Sequence, residues 1–537
     1  MAIAPGVSAQ DRSAALEGFA AAVGKDWVFT SDADLALYKD AYSPFWGEPE
    51  EKHASAAVAP QSSEEVQAIM RIANKYKIPI YPISTGRNLG YGGSAPVLSG
   101  SVVLDLKRMN KVLEVNEENA FALVEPGVSY FDLYRYIREH KLKLWIDCPD
   151  PGWGSPIGNS LDHGGGKTTA PYRDHFGAHC GMEVVLANGE IVRTGMGALP
   201  GAKTWQQFQY GYGPYLDGIF SQSNFGVVTK MGFWLMAEPE AHFVGRVKVP
   251  KHGDLSPLMR VMNYLMNSGL VTATTNFGAP LLTGFDDPDL AKLLATAESD
   301  DAPELQQYAA QKGIPYWTTD VKLYGPETVM KATWEYAKTR FADAIPGVSF
   351  EDGKLYKFPL TDAQVAEIRE SVDPSPFGIP SLQIFNIGIR SPTNPVSTNG
   401  HLWLSLILPM TGEAVIEARA VLKKAFKQWG ISPWDAVVPQ SFIPRSFLLL
   451  YGFPVTHDPA INKKNRAAFK QIIELAAQHG WGEYRTAPAF MDDVANVYSF
   501  NNHALRRLHE KLKDAVDPNG IISAGRYGIW PNHLRKT

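Results

Sequence analysis

The stretch STGRNLGYGG, residues 84–93, places four glycines, an arginine and a tyrosine within ten positions. Closely spaced glycines let backbone N–H groups approach anionic oxygens without an intervening Cβ atom. Further donors and one positive charge come from Ser84, Thr85, Arg87 and Asn88. The loop lacks the Lys-Ser/Thr pair that ends a P-loop, and its glycines miss the spacing of a dinucleotide fingerprint. It therefore indicates either a diphosphate-binding loop of another kind or a solvated turn.

The segments that flank this loop predict a mixed α/β region. Ser62 and Glu65 have the spacing of a capping box, and the helix that they begin places four apolar residues on one face: Val66, Ile69, Met70 and Ala73. The strand IPIYPIS then leads into the glycine loop. Three more strands are predicted in SVVLDL (101–106), KVLEV (111–115) and FALVEPG (121–127). Ser129 is expected to cap another helix, and Asn188-Gly189 marks a hairpin within residues 180–195.

A second glycine-rich region, DCPDPGWGSPIGNSLDHGGG, occupies residues 147–166. It repeats the chemistry of the first loop with Gly152, Gly154, Ser155, Gly158 and Asn159. Two such regions within one α/β domain favour anion binding over a pair of solvated turns.

Composition sets the broad class of protein. The chain has 537 residues, of which 45% are hydrophobic and 20% charged, which predicts a globular protein of two or more domains. A net charge of −5 argues against binding to nucleic acid or to an anionic membrane. Two cysteines, Cys148 and Cys180, exclude a disulfide scaffold and a metal site built from cysteine pairs, and they fit a reducing compartment.

The first 24 residues carry Asp11, Arg12 and Glu17 where a signal peptide would need an apolar run. No apolar segment approaches the ~18 residues of a membrane span. We therefore expect a cytoplasmic protein without a membrane segment. The pattern of predicted elements changes near Glu238-Pro239. This change predicts a first domain (1–240), a second domain of strands and long helices (241–486), and a C-terminal segment (487–537) that returns to the first.

A series of motifs in fixed order carries a family resemblance. PISTGRNLGYGG, SGSVVLDL, VEPGVSYFDLY, CPDPGWGS, GMEVVLANGE, GPYLDGIFSQSN, GWGEYRT and DPNGIISAGR follow one another along the chain. Together they resemble the vanillyl-alcohol oxidase and 4-cresol methylhydroxylase flavoproteins, from about residue 20 to 531, most weakly between about 240 and 400. The implied fold is α+β: an FAD-binding domain of two α+β subdomains, completed by the C-terminal segment, and a cap domain with an antiparallel sheet flanked by helices.

The resemblance implies an FAD site in the first domain, with no metal. The first glycine loop would hold the FAD pyrophosphate. The residues expected to bind the cofactor are Pro82, Ser84, Thr85, Gly86, Arg87, Asn88, Leu89, Gly90, Pro149, Gly154, Ser155, Gly158, Asn159, Glu183, Val227, His401 and Arg526.

The resemblance also implies the catalytic residues. Tyr91, Tyr484 and Arg485 match the groups that bind the substrate phenol as phenolate, and an arginine with two phenol donors can stabilise a buried oxyanion. Asp150 matches a carboxylate near the hydride-accepting nitrogen of the flavin, with the expected role of base for water addition. From the residues alone, a structural Asp turn in DCPDPG, or a role for Asp147, is equally open.

His401 falls where the family's oxidases attach FAD covalently through a histidine, and such a link would raise the flavin potential. The methylhydroxylase attaches FAD to a tyrosine in the equivalent segment. The matching position in this chain, near Gly388, has no tyrosine, which favours His401.

The electron acceptor is predicted from two opposed signals. Pro149 stands where the family's oxidases have proline or glycine and its dehydrogenases have alanine, which favours oxygen. Arg526 matches the methylhydroxylase, where oxidases usually have lysine. Two departures concern the substrate: Lys167 stands near a tyrosine of the oxidases in a loop two residues longer, and Phe447 and Leu448 lie where both relatives carry a His-His pair, which predicts a more apolar wall.

The sequence thus predicts a covalent-FAD oxidase of para-substituted phenols that uses O2 and gives hydrogen peroxide. A dehydrogenase that passes electrons to a cytochrome c is the alternative. A flavin-binding protein without turnover would leave Tyr91, Asp150 and the Tyr484-Arg485 pair unexplained. Because relatives form dimers or octamers, we expect a homodimer or a higher homo-oligomer.

Overall fold

The structure is a computed structural model that describes residues 3–41, 43–283, 287–371, 373–383, 399–431, 434–440 and 445–535. Helices and strands are numbered below in chain order. The predicted tyrosine-equivalent position near Gly388 lies outside the described residues.

The first sheet lies near the N-terminus, with strand order β1-β2-β4-β3; β1 is antiparallel to β2, and the other pairs are parallel. Its strands are β1 (Val28–Phe29), β2 (Ala56–Val58), β3 (Ile80–Ile83) and β4 (Val102–Asp105). The accompanying helices are α1 (Ala9–Val23), α2 (Asp32–Ala36) and α3 (Ser63–Tyr76).

Helix α3 confirms the predicted start and the predicted buried face. The Ser62 hydroxyl accepts a hydrogen bond from the Glu65 N–H at 3.2 Å. Val66, Ile69, Met70 and Ala73 are buried, as predicted. The Glu65 carboxylate accepts from the backbone of Gln61 instead of Ser62, so only half of the predicted capping box forms.

The second sheet is antiparallel, with order β5-β6-β10-β8-β9. Strands β8 and β9 form the predicted hairpin, and a short pair, β7 with β11, lies beside this sheet. The strands are β5 (Val112–Asn116), β6 (Phe121–Val124), β7 (Leu144–Trp145), β8 (His179–Val185), β9 (Ile191–Arg193), β10 (Val227–Trp234) and β11 (Met236–Ala237). The helices are α4 (Tyr130–Glu139), which Ser129 and Asp132 cap as a full capping box, α5 (Pro156–Leu161) and α6 (Ala170–Arg173).

Two more antiparallel sheets follow, with orders β13-β14-β12-β15 and β17-β18-β16-β19. Their strands are β12 (Ala241–Val249), β13 (Phe277–Gly278), β14 (Trp317–Tyr324), β15 (Ser349–Lys357), β16 (Asn399–Pro409), β17 (Trp434–Gln440), β18 (Ser446–Thr456) and β19 (Gly482–Glu483). The helices are α7 (Leu255–Asn267), α8 (Pro288–Thr296), α9 (Pro303–Lys312), α10 (Glu327–Ala344), α11 (Asp362–Glu370), α12 (Gly412–Trp429) and α13 (Pro459–Gln478). Helices α7, α10, α12 and α13 share one apolar core with both sheets.

The C-terminal segment packs back on the first sheet, after α14 (Met491–Val497) and α15 (Phe500–Val516). The Ile80 N–H donates to the Ile521 carbonyl at 2.6 Å, which adds residues 521–522 to the edge of β3. The fully buried Lys513 ammonium donates to the Asn224 and Ile522 carbonyls, each at 2.7 Å. The division at residues 240 and 486, and the assignment of the C-terminal segment to the first domain, stay predictions.

The α+β fold class is confirmed, with antiparallel sheets in the cap. In the described part of the chain, no helix combines the length and apolar character that crossing a membrane would require.

Candidate active site

A cavity of about 510 Å³ lies where the two N-terminal sheets, the C-terminal segment and the second cap sheet meet. This volume is within the ~300–1,000 Å³ usual for small-molecule sites. The cavity brings together most of the predicted site residues: Pro82, Ser84, Gly86, Arg87, Asn88, Leu89, Tyr91, Pro149, Asp150, Gly154, Ser155, Gly158, Asn159, Val227, Tyr484, Arg485 and Arg526.

The two glycine-rich regions meet in the cavity wall. Gly86 has a φ of +67°, and a Cβ atom there would lie 2.5 Å from the Ser94 hydroxyl. A Cβ atom on Gly158 would lie 2.4 Å from the Ser84 hydroxyl. The positive φ of Gly86 favours glycine there, and Gly158 lies where the second glycine-rich region closely approaches the first.

The wall formed by these loops fits a nucleotide diphosphate. It presents bare backbone together with the hydroxyls of Ser84 and Ser155 and the guanidinium of Arg87. The Arg87 guanidinium lies over the Trp153 ring, 4.8 Å from its centroid, which stabilises a cation at the cavity. The residues present thus match the FAD pyrophosphate that the sequence predicts.

Tyr91, Ser405, Tyr484 and Arg485 form one group, here called the Tyr-Arg cluster. The Tyr91 and Ser405 hydroxyls share a hydrogen bond of 2.6 Å, and the Ser405 carbonyl accepts from the Tyr484 N–H at 3.2 Å. The rings of Tyr91 and Tyr484 meet edge to face, with centroids 6.4 Å apart. Ser405, in the middle of β16, therefore holds both tyrosines in register.

The charge of the Tyr-Arg cluster comes from Arg485. Its guanidinium lies over the Tyr91 ring, 4.1 Å from the centroid, and donates to the Asn88 side chain at 3.0 Å. Its Nε atom is buried and makes no hydrogen bond within the described residues. The Asp162 carboxylate lies 4.0 Å from this atom and is shared with Arg526, so the guanidinium keeps room for an anion brought by a ligand.

Burial and the neighbouring Tyr484 raise the pKa of Tyr91 well above its ordinary value. Tyr91 therefore stays protonated near neutral pH and can donate a hydrogen bond. Burial by itself lowers the pKa of Arg485, but the Asp162 carboxylate and the nearby phenols raise it, so the guanidinium stays charged.

Asp162 joins the Tyr-Arg cluster to the C-terminal segment. It was not among the site residues that the sequence predicted. Its carboxylate receives a hydrogen bond from Arg526 at 3.0 Å and another from the Tyr527 hydroxyl, and it lies 4.0 Å from the Arg485 Nε atom. Burial alone raises the pKa of Asp162, but Arg526 and Arg485 lower it below its ordinary value. This carboxylate therefore stays ionised and fixes both arginines at the cavity.

Asp150, Lys167, Lys322 and Asp373 form a second group, here called the Asp-Lys cluster, of which Asp150 and Lys167 line the cavity. The Lys167 ammonium lies 3.4 Å from the Asp150 carboxylate and 3.9 Å from that of Asp373. Burial and the charge of Asp373 raise the pKa of Asp150 to about 6, while Lys167 acts in the opposite direction. A carboxyl group with this pKa can gain and lose a proton near neutral pH.

Four predicted cofactor residues do not line the cavity: Thr85, Gly90, Glu183 and His401. The Glu183 carboxylate is held by Ser63, Arg193 and Lys230, each at 2.8 Å, and its expected place at the cofactor stays a prediction. Gly90 and His401 lie against each other directly behind the wall, since a Cβ atom on Gly90 would come within 2.8 Å of the His401 Nε2 atom.

The cap supplies an apolar wall, formed by Trp403, Leu448 and Leu450. Leu448 thus lies at the cavity, as the departure from the His-His pair predicted. Phe447 points to the other side of β18 and packs edge to face on Phe277, with centroids 5.3 Å apart. Period-two alternation along the strand explains why only one of the two neighbours reaches the cavity.

Comparison with known proteins places this architecture. The family model described as an FAD binding domain matches residues 54–195. The chain is 34% identical to the 4-cresol dehydrogenase (hydroxylating) flavoprotein subunit of Pseudomonas putida, over 98% of each chain. It is 34% identical to 4-ethylphenol oxidase from Gulosibacter chungangensis, with a TM-score of 0.83 over 99% of this chain and all of that one. A substrate-bound structure of p-cresol methylhydroxylase has 31% identity and a TM-score of 0.83, over 98% and 99% of the two chains.

The matches run over nearly the whole length of each chain, and the cavity joins the motifs that the resemblance rests on. The FAD cofactor and the flavin-dependent oxidation of phenols follow from this membership. The chain belongs to the vanillyl-alcohol oxidase and 4-cresol methylhydroxylase family of FAD-dependent oxidoreductases.

Proposed function

We propose that this protein is an oxidase of para-substituted phenols: 4-alkylphenols, 4-allylphenols and 4-hydroxybenzyl alcohols. The observation that carries the proposal is the Tyr-Arg cluster, in which a buried guanidinium lines the cavity together with two phenol side chains. This arrangement favours the anionic form of a phenol over the neutral form.

The chain's own residues then have separate tasks. Arg485 and the protonated Tyr91, together with Tyr484, hold the substrate oxygen as phenolate. Electron release from the phenolate promotes hydride loss from the para benzylic carbon and leaves a p-quinone methide. The bound FAD supplies the hydride acceptor. Asp150 takes a proton from the water that adds to the quinone methide, while internal rearrangement gives alkenes instead.

Oxygen is the proposed electron acceptor, with hydrogen peroxide as its product. Pro149 lines the cavity, and one relative of 34% identity is named a 4-ethylphenol oxidase. The second candidate is a dehydrogenase that passes electrons to a cytochrome c. It is favoured by the equal identity to a 4-cresol dehydrogenase flavoprotein subunit, and by Arg526.

Covalent attachment of FAD through His401 belongs to the same proposal. His401 is 4% exposed and lies against Gly90, the glycine that precedes Tyr91. After acid precipitation, the wild-type pellet is expected to stay yellow and a His401→Ala pellet to be colourless. Loss of all colour from the wild-type pellet contradicts the covalent link. A homodimer or larger homo-oligomer and a cytoplasmic location stay predictions, which light scattering and fractionation test.

The proposed reaction is tested with a panel of 4-ethylphenol, eugenol and vanillyl alcohol. Consumption of oxygen and formation of peroxide in a 1:1 ratio to product are expected. Reduction of the flavin without oxygen consumption, followed by rapid reoxidation with cytochrome c, would identify the dehydrogenase. No flavin reduction by any phenol would overturn the proposed activity.

A further inference from the structure

Lys167 is fixed at the cavity by a backbone clamp. The Asp147 carboxylate accepts hydrogen bonds from the Lys167 N–H at 2.8 Å and from the Thr168 N–H at 3.1 Å. The residue before the lysine must be glycine, because a Cβ atom on Gly166 would lie 1.5 Å from the Asp147 carboxylate. The clamp aims the lysine side chain along the cavity wall towards Asp150.

Within the Asp-Lys cluster, the two carboxylates have different hydrogen-bond and ion-pair partners. Asp373 accepts hydrogen bonds from the backbone N–H and the hydroxyl of Ser375 and lies 3.9 Å from the Lys167 ammonium. For Asp150, Lys167 is the cation within 4 Å among the described residues. Lys167 is therefore the cation in direct contact with the Asp150 carboxylate.

The other ionisable groups that face Asp150 do not replace this contact. Asp373, which follows α11, repels a negative charge on Asp150, and Lys322 on β14 attracts it from farther away. Burial lowers the pKa of Lys322. Burial raises the pKa of the Cys148 thiol well above its ordinary value, so this neighbour is neutral. The Asp147 carboxylate is engaged by the backbone N–H groups of residues 167 and 168.

We infer that Lys167 is a positioning residue for the proposed reaction: it keeps the Asp150 carboxylate ionised and directed into the cavity, so that Asp150 can take the proton of the water that adds to the benzylic carbon. The inference rests on the proposed function. It gives a role to the lysine that stands where the family's oxidases have a different residue in a shorter loop.

The addition of water to the quinone methide moves electron pairs within the substrate and needs no further oxidant. The water oxygen forms a bond to the benzylic carbon of the quinone methide, and one water proton passes to Asp150. The electron pair of the exocyclic double bond moves through the ring to the carbonyl oxygen, which becomes the phenolate held by the Tyr-Arg cluster. The products are a 4-hydroxybenzylic alcohol, as its phenolate, and a protonated Asp150, which releases its proton to solvent.

The protonation of Asp150 is measured in the holoenzyme by infrared spectroscopy. The carboxyl C=O band of Asp150 is the one that Asp150→Asn removes, and its pH titration gives the midpoint directly. In Lys167→Met we expect the midpoint to move to higher pH by about one unit or more, because an attractive charge is lost within 4 Å. Lys167→Arg should restore the wild-type midpoint, and Asp373→Asn should lower it, because a repulsive charge is removed.

The same variants are assayed with 4-ethylphenol. The acid limb of the rate of hydroxylated product formation is expected to move with the infrared midpoint, mainly in kcat and little in KM. Lys331→Met, which breaks an exposed pair with Glu327, is the matched control and should leave both quantities unchanged. An unchanged midpoint in Lys167→Met, or no restoration by Lys167→Arg, overturns the inference. If no phenol reduces the wild-type flavin, the proposed function fails, while the infrared titration still tests the link between Lys167 and Asp150.

Discussion

The Tyr-Arg cluster and the Asp-Lys cluster face the same cavity with different arrangements of charge. In the first, Arg485 lies against the Tyr91 ring, and its nearest carboxylate, Asp162, is engaged by Arg526. In the second, two carboxylates share Lys167. The first cluster is therefore built to stabilise an anion, and the second to hold a proton that can leave. A substrate that must be held as a phenolate at one end and meet a base at another position would use both clusters.

Removal of the positive charge from the first cluster should have the largest effect. Arg485→Leu leaves the phenol without its cationic partner, and we expect kcat/KM for 4-ethylphenol to fall by about 10³-fold. Steady-state oxygen uptake measures the loss, and flavin absorbance checks that the cofactor remains. Arg246→Leu, which breaks a half-exposed pair with Asp320, is the control and should change kcat/KM little. A loss below tenfold in Arg485→Leu would show that the Tyr-Arg cluster does not stabilise the phenolate as the comparison of the two clusters requires.

Asp150→Asn tests the second cluster. Because a general base contributes at least about 10²-fold, we expect a drop of that size in formation of the hydroxylated product. In the wild type, the rate should fall as the pH drops below about 6, since Asp150 becomes protonated there. The acid limb should be absent in Asp150→Asn. Product analysis by chromatography at several pH values checks this, and an acid limb that persists unchanged would assign it to another group.

Tyr91→Phe removes one hydrogen bond to the phenolate and keeps the ring under Arg485. A hydrogen bond to a charged group contributes about 2 kcal/mol, so kcat/KM is expected to fall about 30-fold with FAD retained. Tyr264→Phe, which alters an exposed Tyr-Tyr contact, is the matched control. Loss of flavin in Tyr91→Phe would mean that the tyrosine serves the cofactor and not the substrate.

Ser405→Ala asks whether the strand β16 aligns the two tyrosines. The variant loses the 2.6 Å hydrogen bond to Tyr91 and keeps the backbone contact to Tyr484. A neutral hydrogen bond is worth about 1 kcal/mol, which corresponds to a drop of about fivefold in kcat/KM. An equal loss in Tyr91→Phe and in the double variant would show that both act through one contact.

Glu483 offers the smallest effect, on stability. Burial raises its pKa well above the ordinary value, against the opposing effect of the Thr486 side chain and the Ser405 backbone. A raised pKa in the folded state gives stability at low pH that is lost as the pH rises towards that pKa. Glu483→Gln should therefore raise the midpoint of thermal unfolding more at pH 9 than at pH 5. The corresponding difference in the free energy of unfolding is expected to be about 1 kcal/mol. An equal effect at pH 5 and pH 9 would show that the protonation of Glu483 does not differ between the folded and the unfolded protein.

Local pattern was sufficient for much of the fold. The apolar spacing after Ser62 gave the buried face of α3, and Asn188-Gly189 gave the β8–β9 hairpin, because both depend on residues close in sequence. The ordered motifs also placed Tyr91, Asp150 and the Tyr484-Arg485 pair, which the structure brings to one cavity.

The partners of those residues could not be predicted in the same way. Ser405 lies 314 positions from Tyr91, and Asp162 lies 364 positions from Arg526, so no local periodicity links them. Asp373 stands beside Lys167 only because the cap folds over the second glycine-rich region. Glu183 shows the converse: a carboxylate near a motif in sequence was expected at the cofactor, but Arg193 and Lys230 hold it within the sheet.

The central claim is that the Tyr-Arg cluster binds the substrate phenol as its anion. The most direct measurement is the ultraviolet difference spectrum of 4-hydroxybenzaldehyde bound to the oxidised holoenzyme, at a pH well below the solution pKa of this phenol. The ligand cannot lose a benzylic hydride from an alkyl group, and its phenolate absorbs at longer wavelength than the neutral form. We predict the phenolate spectrum in the wild type and the neutral spectrum in Arg485→Leu. A neutral phenol bound to the wild-type protein would contradict the claim.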